Sequence, residues 1–241
     1  MTHTLVVEII GPAGAGKSTL SATMAMRAEG ALLSEPPDPR TWRNLPFYAR
    51  NLVASLPVIA RMSLPTLPEG HISREPIASV AILNGWSMTL SAGRAKPTRA
   101  PTDAPRLILL DQGPLYMLAE LHGRGPLGLL RQTQWWDAMY TRWAGVLDGV
   151  VRLDADDAVL IPRIRAREMD HRIKLMSDPE GRRYLSQWRG ALSYTLAHLV
   201  YCSPELLVLP HDTSGHPPDA LADLILGELN AASATRSPSW P

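Results

Sequence analysis

Short apolar runs alternate with longer segments of helical periodicity along most of the chain. Strands are predicted at residues 5–10, 31–34, 106–111, 149–153 and 205–209. Helices are predicted at residues 18–29, 44–62 (with an interruption near Pro57), 75–91, 114–121, 133–147, 156–168, 179–200 and 218–230. The strands are nearly continuous apolar runs, which is typical of strands buried on both faces of a parallel sheet. The alternation predicts a doubly wound α/β fold with helices on both faces of a five-stranded parallel sheet.

The same pattern predicts a single domain over residues 1–230, followed by a flexible Ser/Pro-rich tail at residues 231–241. Within the helix at 44–62, helical spacing places Leu45, Tyr48, Leu52 and Leu56 on one apolar face.

The composition of the chain argues against several kinds of partner and binding site. The chain of 241 residues carries 24 Lys and Arg against 23 Asp and Glu, so its near-neutral balance argues against a nucleic-acid partner. Cys202 is the single cysteine, which excludes an intramolecular disulfide and a Cys-rich zinc site. No apolar run reaches the length of a membrane helix, and the first ten residues lack the basic segment of a signal peptide. We therefore expect a cytoplasmic protein without a membrane partner.

The segment from 11 to 19 reads GPAGAGKST and matches the phosphate-binding loop pattern G-x-x-x-x-G-K-[ST]. It lies between a predicted strand and a predicted helix, the setting in which backbone N–H groups and the helix N-terminus surround a phosphate group. Lys17 would reach the β- and γ-phosphates of ATP. The predicted nucleotide-binding residues are Gly11, Pro12, Ala13, Gly14, Ala15, Gly16, Lys17, Ser18 and Thr19.

A phosphate-binding loop of this kind is expected to have a carboxylate nearby that helps to hold Mg²⁺. The segment 107–111 reads LILLD, an apolar strand that ends in Asp111. A strand of this kind lies beside the first strand, so Asp111 and the Ser18 hydroxyl are predicted to hold Mg²⁺.

Two further groups are predicted to act on the transferred phosphate. Arg163 and Arg167 are four residues apart on a predicted helix, where like charges favour an anion between them. Glu35 ends the second strand, and parallel strands present their carboxyl ends at the ligand-binding edge of the sheet. Its carboxylate is predicted to accept a proton from an acceptor hydroxyl.

Taken in order, GPAGAGKST at 11–19, SEPPDP at 34–39, LILLDQG at 107–113 and RLDADDAVLIPRIRARE at 152–168 resemble the thymidylate kinase and deoxynucleoside kinase group of P-loop kinases. The resemblance implies a three-layer α/β/α sandwich with strand order 2-3-1-4-5. It implies helices that bind the phosphoryl acceptor at about 44–93 and an Arg-rich lid at about 156–178. It also implies a catalytic base at Glu35, lid arginines at Arg163 and Arg167, and a homodimer through residues 75–92 and 114–121.

Four positions are candidates for acceptor contacts under this resemblance: Arg50, Arg74, Trp86 and Gln112. The group usually carries an arginine directly after the aspartate of its third strand, or a Glu-Arg-Ser sequence. This chain has Asp111-Gln112-Gly113-Pro114 instead. Gln112 brings no charge to an acceptor, so a nucleoside, a nucleotide and another small metabolite all remain open as substrates.

The resulting hypothesis is an enzyme that uses ATP and Mg²⁺ to phosphorylate a small-molecule acceptor. A nucleotide-binding switch that hydrolyses ATP without such transfer is the main alternative, favoured by the missing arginine. A sulfotransferase-like protein is a third possibility, opposed by the intact Gly16-Lys17-Ser18 and the strand-terminal Asp111.

Overall fold

The computed structural model of the chain describes residues 4–38, 41–63, 74–95 and 107–235. The strands are β1 (Leu5–Ile10), β2 (Ala31–Ser34), β3 (Leu107–Asp111), β4 (Gly149–Asp154) and β5 (Leu207–Asp212). The helices are α1 (Lys17–Arg27), α2 (Leu45–Ser63), α3 (Arg74–Ala95), α4 (Pro114–Arg124), α5 (Leu127–Leu130), α6 (Thr133–Ala144), α7 (Asp157–Arg165), α8 (Asp178–Cys202) and α9 (Pro218–Thr235). Short 3₁₀ helices occur at Trp42–Asn44 and Arg172–Leu175. Among these helices, none is both long and apolar enough to cross a membrane.

The five strands form one parallel sheet in the order β2-β3-β1-β4-β5, which confirms the predicted topology. The register pairs Ile9 of β1 with Asp111 of β3, and Ser34 of β2 with Leu110 of β3. The carboxyl ends of β1, β2 and β3 therefore meet at one edge of the sheet, where ligands bind in folds of this type.

Helices cover both faces of the sheet. Because side chains alternate along a strand, Val6 and Ile10 of β1 pack into one apolar cluster together with residues of α3, α4, α6 and α8. Val7 and Ile9 pack into a second cluster with residues of α1, α7 and α9. The predicted three-layer α/β/α sandwich is confirmed.

One charged residue interrupts the apolar face of β1. Glu8 lies between Val6 and Ile10 and is 0% exposed. Its Oε2 accepts a hydrogen bond from the Leu115 N–H at 2.9 Å, and its Oε1 accepts one from the Tyr116 N–H at 3.0 Å. These are the free N–H groups in the first turn of α4, whose N-cap is Gly113. A carboxylate from the central strand thus caps a helix that follows the neighbouring strand.

Burial and hydrogen bonding act on Glu8 in opposite directions. Removal from water raises the pKa of its carboxyl group, and the N–H groups of Leu115, Tyr116 and Gly113 lower it. Burial outweighs the hydrogen bonds, and with a smaller repulsion from Asp111 the pKa rises to about 8.

Helix α2 differs from its prediction in two ways. It continues through Pro57, because the helical bond lost there frees only the Val53 carbonyl, and Val53 is 66% exposed. The predicted apolar face is also wrong at its ends, since Leu45 and Leu56 are more than half exposed. Instead α2 turns buried Asn51 and Ser55 toward α3, where the Ser55 hydroxyl accepts a hydrogen bond from Asn84 at 2.5 Å.

Several helix ends differ from their predictions, and two of them, those of α7 and α9, change the picture of the chain. Helix α7 ends at Arg165 rather than near residue 168, and the chain then turns to bury Ile173 completely beneath the start of α8. Arg165 holds this turn through the Met176 carbonyl and the Asp178 carboxylate. Helix α9 continues to Thr235, so residues 231–235 of the predicted tail are helical, and residues 236–241 lie outside the described residues.

The raised pKa of Glu8 predicts a pH-dependent stability. The native state keeps a proton that the unfolded chain loses above about pH 4.5, so the contribution is complete below that pH and is lost as pH rises toward 8. The free energy of unfolding should fall across this interval by up to roughly 1.4 kcal/mol per pH unit from this group. Replacing Glu8 by Gln should remove that part of the slope, as measured by urea unfolding at pH 5, 6.5 and 8.

Glu29→Gln is the matched control, because Glu29 is an exposed carboxylate at the end of the α1–β2 connection. It should leave the slope unchanged. Equal slopes for the wild type and Glu8→Gln would contradict a protonated Glu8 in the native state.

Candidate functional site

The loop between β1 and α1 has the backbone shape that a phosphate cradle requires. Gly14 and Gly16 have φ angles of +84° and +85°, in the left-handed region that other residues adopt at a cost. Gly16 is the N-cap of α1, so the positive end of this helix faces the inside of the loop. The sequence pattern therefore folds as predicted at this point.

Lys17 opens α1 and is almost fully buried in the loop. Its Nζ donates hydrogen bonds to the carbonyl oxygens of Gly11 at 2.9 Å and Pro12 at 3.0 Å. Burial lowers the pKa of the ammonium group to about 8, an effect that nearby Asp111 opposes and Arg167 reinforces. Asp111 and Arg167 thus each lie close enough to Lys17 to act on its charge.

Asp111 ends β3 beside the last residues of β1. Its Oδ1 is buried and has no hydrogen-bond partner within the described part of the chain. Ser18 lies exposed in the first turn of α1. A carboxylate oxygen without a partner at the end of β3 and a hydroxyl at the start of α1 are both hard oxygen donors of the kind that Mg²⁺ prefers.

Within the described residues, no three or more His, Cys, Asp or Glu side chains lie together in an arrangement that could hold a metal ion. A Mg²⁺ ion held by one or two protein oxygens, with phosphates and water as its other ligands, agrees with this arrangement.

The two predicted lid arginines do not share a helix face. Arg163 lies on α7 and donates to the Gly14 carbonyl at 3.5 Å and to the Thr213 carbonyl at 3.1 Å. It thereby links the phosphate loop to the segment after β5. Arg167 lies beyond the end of α7, and its positive charge helps to lower the pKa of Lys17. The predicted i, i+4 arrangement is wrong because α7 ends at Arg165.

The segment after α7 adds a histidine to this cationic region. Burial lowers the pKa of His171, and the positive charges of Arg124, Arg167, Lys17 and Arg172 lower it further. The Nδ1 of His171 accepts a hydrogen bond from the Ile173 N–H, which fixes the ring at the start of the 3₁₀ helix. An anion in this region would meet several positive charges at once.

Glu35 directly follows β2 and is exposed. Since Ser34 pairs with Leu110, the backbone at Glu35 reaches the same edge of the sheet as Asp111. The next segment is held by α2, because the Tyr48 hydroxyl donates to the Pro37 carbonyl at 2.5 Å. Tyr48 therefore ties the segment that carries Glu35 to the first of the predicted acceptor helices.

The other predicted acceptor residues have different surroundings. Arg50 is exposed on α2, and Gln112 is exposed with a φ angle of +54°. Trp86 is 3% exposed and packs edge-to-face on Trp143 with ring centroids 5.9 Å apart, which makes it part of the core. Arg74 begins α3, and its side chain lies outside the described part of the structure.

After Asp111 in the chain, α4 contacts α8 through aromatic and charged side chains. Glu120 of α4 accepts a hydrogen bond from the Trp188 ring N–H at 3.0 Å and pairs with Arg124 at 3.1 Å. The Arg124 guanidinium lies over the Tyr184 ring, 4.6 Å from its centroid. Glu120 and Arg124 thereby connect α4 to α8 on the side of the site that contains His171.

The sequence pattern indicated no role at this site for Glu8, His171 or Thr213, and it placed Tyr48 only on the apolar face of a helix. A signal was available only for Glu8, as a lone carboxylate inside an apolar strand. The roles of the other three arise from contacts between segments far apart in the chain.

Comparisons with known proteins bear on the fold. No family model matches the sequence, and no curated protein matches it significantly. Among solved structures, deoxyadenosine kinase from M. mycoides with bound dATP superposes with a TM-score of 0.50 at 17% identity, covering 94% of this chain and 100% of that one. Thymidylate kinase from Candida albicans superposes with a TM-score of 0.55 at 13% identity, covering 96% of this chain and 94% of that one.

At these identities the likeness shows a shared fold over nearly the whole length of both chains. The predicted resemblance is confirmed at that level. This chain has the fold of the P-loop nucleoside and nucleotide kinases.

Proposed function

We propose that the protein is a phosphotransferase that moves the γ-phosphoryl group of ATP to a hydroxyl or phosphate group of a small molecule, with Mg²⁺ as cofactor. The observation that carries the proposal is the convergence of three strand ends at one edge of the sheet. The phosphate loop follows β1, Glu35 follows β2 and Asp111 ends β3. These positions carry the parts that phosphoryl transfer needs: a phosphate cradle, a proton acceptor and a metal-side carboxylate.

On the donor side, the loop from Gly11 to Thr19 would hold the phosphates through backbone N–H groups. Lys17 would exchange its hydrogen bonds to the Gly11 and Pro12 carbonyls for bonds to the β- and γ-phosphates. Ser18 and Asp111 would hold Mg²⁺, which supplies positive charge to the phosphate oxygens when bound. Arg167 would add positive charge on the side of Lys17.

On the acceptor side, Glu35 would take the proton of a hydroxyl group as its oxygen attacks the γ-phosphorus. A new oxygen–phosphorus bond forms, the bond to the bridging oxygen breaks, and ADP leaves. The helices α2 and α3 would bind the rest of the acceptor. An acceptor that presents a phosphate group would not need Glu35, because its oxygen is already ionised.

A nucleotide-binding switch is the second candidate. The specific observation in its favour is Gln112, an uncharged side chain at the position after the strand-terminal Asp111. A switch needs nucleotide binding but no acceptor, so the two candidates differ in whether label from ATP reaches a small molecule.

Replacing Lys17 by Ala should strongly reduce phosphoryl transfer. It removes the charge that faces the phosphates, and a loss of about 10²- to 10³-fold in kcat is expected. The measurement is transfer from γ-labelled ATP with Mg²⁺ to a panel of nucleosides, nucleoside monophosphates and small hydroxylated metabolites. Wild-type protein that binds ATP through Lys17 but labels no acceptor would favour the switch.

Replacing Glu35 by Gln tests the base. With a hydroxyl acceptor, kcat should fall by about 10²- to 10⁴-fold while ATP affinity stays unchanged, because Glu35 lies outside the phosphate loop. Asp38→Asn, in the same exposed segment, is the control. An active Glu35→Gln enzyme on a monophosphate acceptor would show that no base is required and would remove this role.

Substitutions of the two lid arginines should change different kinetic constants. Arg163 bonds to the phosphate loop and to Thr213, so Arg163→Ala should mainly raise the KM for ATP. Arg167 lies near Lys17, so Arg167→Ala should mainly lower kcat, by at least about tenfold. Steady-state kinetics with varied ATP distinguish the two. The same change in both variants would contradict this division.

A further inference from the structure

The buried carboxyl group of Glu8 contacts the turn that follows Asp111. Glu8 receives the N–H groups of Leu115 and Tyr116, the two residues that begin α4 after Pro114. It also contacts the turn itself, because a Cβ atom on Gly113 would lie 2.7 Å from the Glu8 Cδ. Gly113 is therefore the residue that lets the chain approach Glu8 this closely.

The turn between Asp111 and α4 is held in an unfavourable conformation. Gln112 has a φ angle of +54°, although it is not a glycine. Residues with side chains keep such angles only where the surroundings impose them. The surroundings here are the β3–β1 pairing before Gln112 and the Glu8-bound start of α4 after it.

The direction of the Asp111 carboxylate depends on this backbone. Its Oδ1 has no hydrogen-bond partner within the described residues, so no hydrogen bond from them holds that oxygen in place. Whatever fixes the backbone on both sides of Asp111 also fixes the place of its Cβ, and so limits the positions that the oxygen can reach. Glu8 is 0% exposed and cannot meet a ligand itself, but it anchors one of those two sides.

We propose that Glu8 is a positioning residue for the metal side of the phosphate site, which it serves by anchoring the Asp111–Gly113 turn from the central strand. This rests on the proposed function in one respect, namely that Asp111 acts on nucleotide-bound Mg²⁺. Glu8 touches neither the nucleotide nor the metal in this scheme. Its effect passes through Asp111.

The test measures ATP affinity with and without Mg²⁺, by calorimetry, in the full-length protein. The wild type should bind ATP more tightly with Mg²⁺ than without, and Asp111→Asn should lose most of this gain. Glu8→Gln keeps the shape of the side chain but places an NH₂ group against one of the two backbone N–H groups. It should reduce the Mg²⁺ gain by about 10- to 100-fold, the usual effect of a residue behind a metal ligand, and leave Mg²⁺-free binding unchanged.

Gly113→Ala approaches the same contact from the other side. Gly113 has an ordinary φ of −75°, so alanine fits the backbone, and its Cβ displaces the Glu8 carboxyl group. It should reproduce the loss seen in Glu8→Gln. It also keeps the inference testable if Glu8→Gln does not fold.

Asp148→Asn is the matched control. Like Glu8, Asp148 has a carboxylate that accepts a hydrogen bond from a backbone N–H. Its donor is Val6 at 2.8 Å, near the end of β1 that is farther from the phosphate loop. It should keep the full Mg²⁺ gain even if the free energy of unfolding decreases. The double variant Glu8→Gln/Asp111→Asn should bind as Asp111→Asn alone, because Glu8 acts through Asp111.

Two results would overturn this proposal while leaving the proposed function in place. If Glu8→Gln and Gly113→Ala lower stability but keep the wild-type Mg²⁺ gain, Glu8 is only a helix cap. If Glu8→Gln weakens binding equally with and without Mg²⁺, it acts on the loop and not on Asp111. A wild type without any Mg²⁺ gain would instead sink the metal role in the proposed function, and this inference with it. The assay needs no acceptor, so a failure to find phosphoryl transfer does not affect it.

Discussion

The central strand β1 is the constraint on which the site depends. It pairs with β3 on one side and with β4 on the other, and it ends directly in the phosphate loop. Its side chains enter both apolar clusters, so its position is fixed from both faces of the sheet. Because Asp111 pairs with Ile9, the position of Asp111 relative to the phosphate loop follows from the register of this one strand pair.

Glu8 shows how strongly that arrangement is imposed. An ionised carboxylate in an apolar layer is unfavourable, and N–H groups at a helix start relieve only part of that cost. Burial still raises the pKa of Glu8 to about 8. An apolar side chain at this position would be buried at a lower cost. An apolar residue, however, would leave the Leu115 and Tyr116 N–H groups without a partner in the interior.

The two sides of the site are connected to different parts of the molecule. Arg163 joins the phosphate loop to the segment after β5, so this loop is tied to the far edge of the sheet. Tyr48 joins the Glu35 segment to α2, and a polar contact between Ser55 and Asn84 joins α2 to α3. A shift of α2 would therefore be transmitted to the segment that carries Glu35, whereas the phosphate loop is held by different contacts.

The sequence alone determined the fold class, the phosphate loop and the strand-terminal Asp111, because these depend on patterns within a few neighbouring residues. A buried parallel strand needs a continuous apolar run, and a phosphate cradle needs glycines at fixed spacing. The separation of Arg163 from Arg167 was decided by the tertiary structure, since burial of Ile173 beneath α8 accompanies the early end of α7. The same holds for the polar face of α2 and for the core position of Trp86, which depend on what α3 and α6 present to them. The capping of α4 by Glu8 joins residues more than a hundred positions apart, and only the pairing of β1 with β3 brings them into contact.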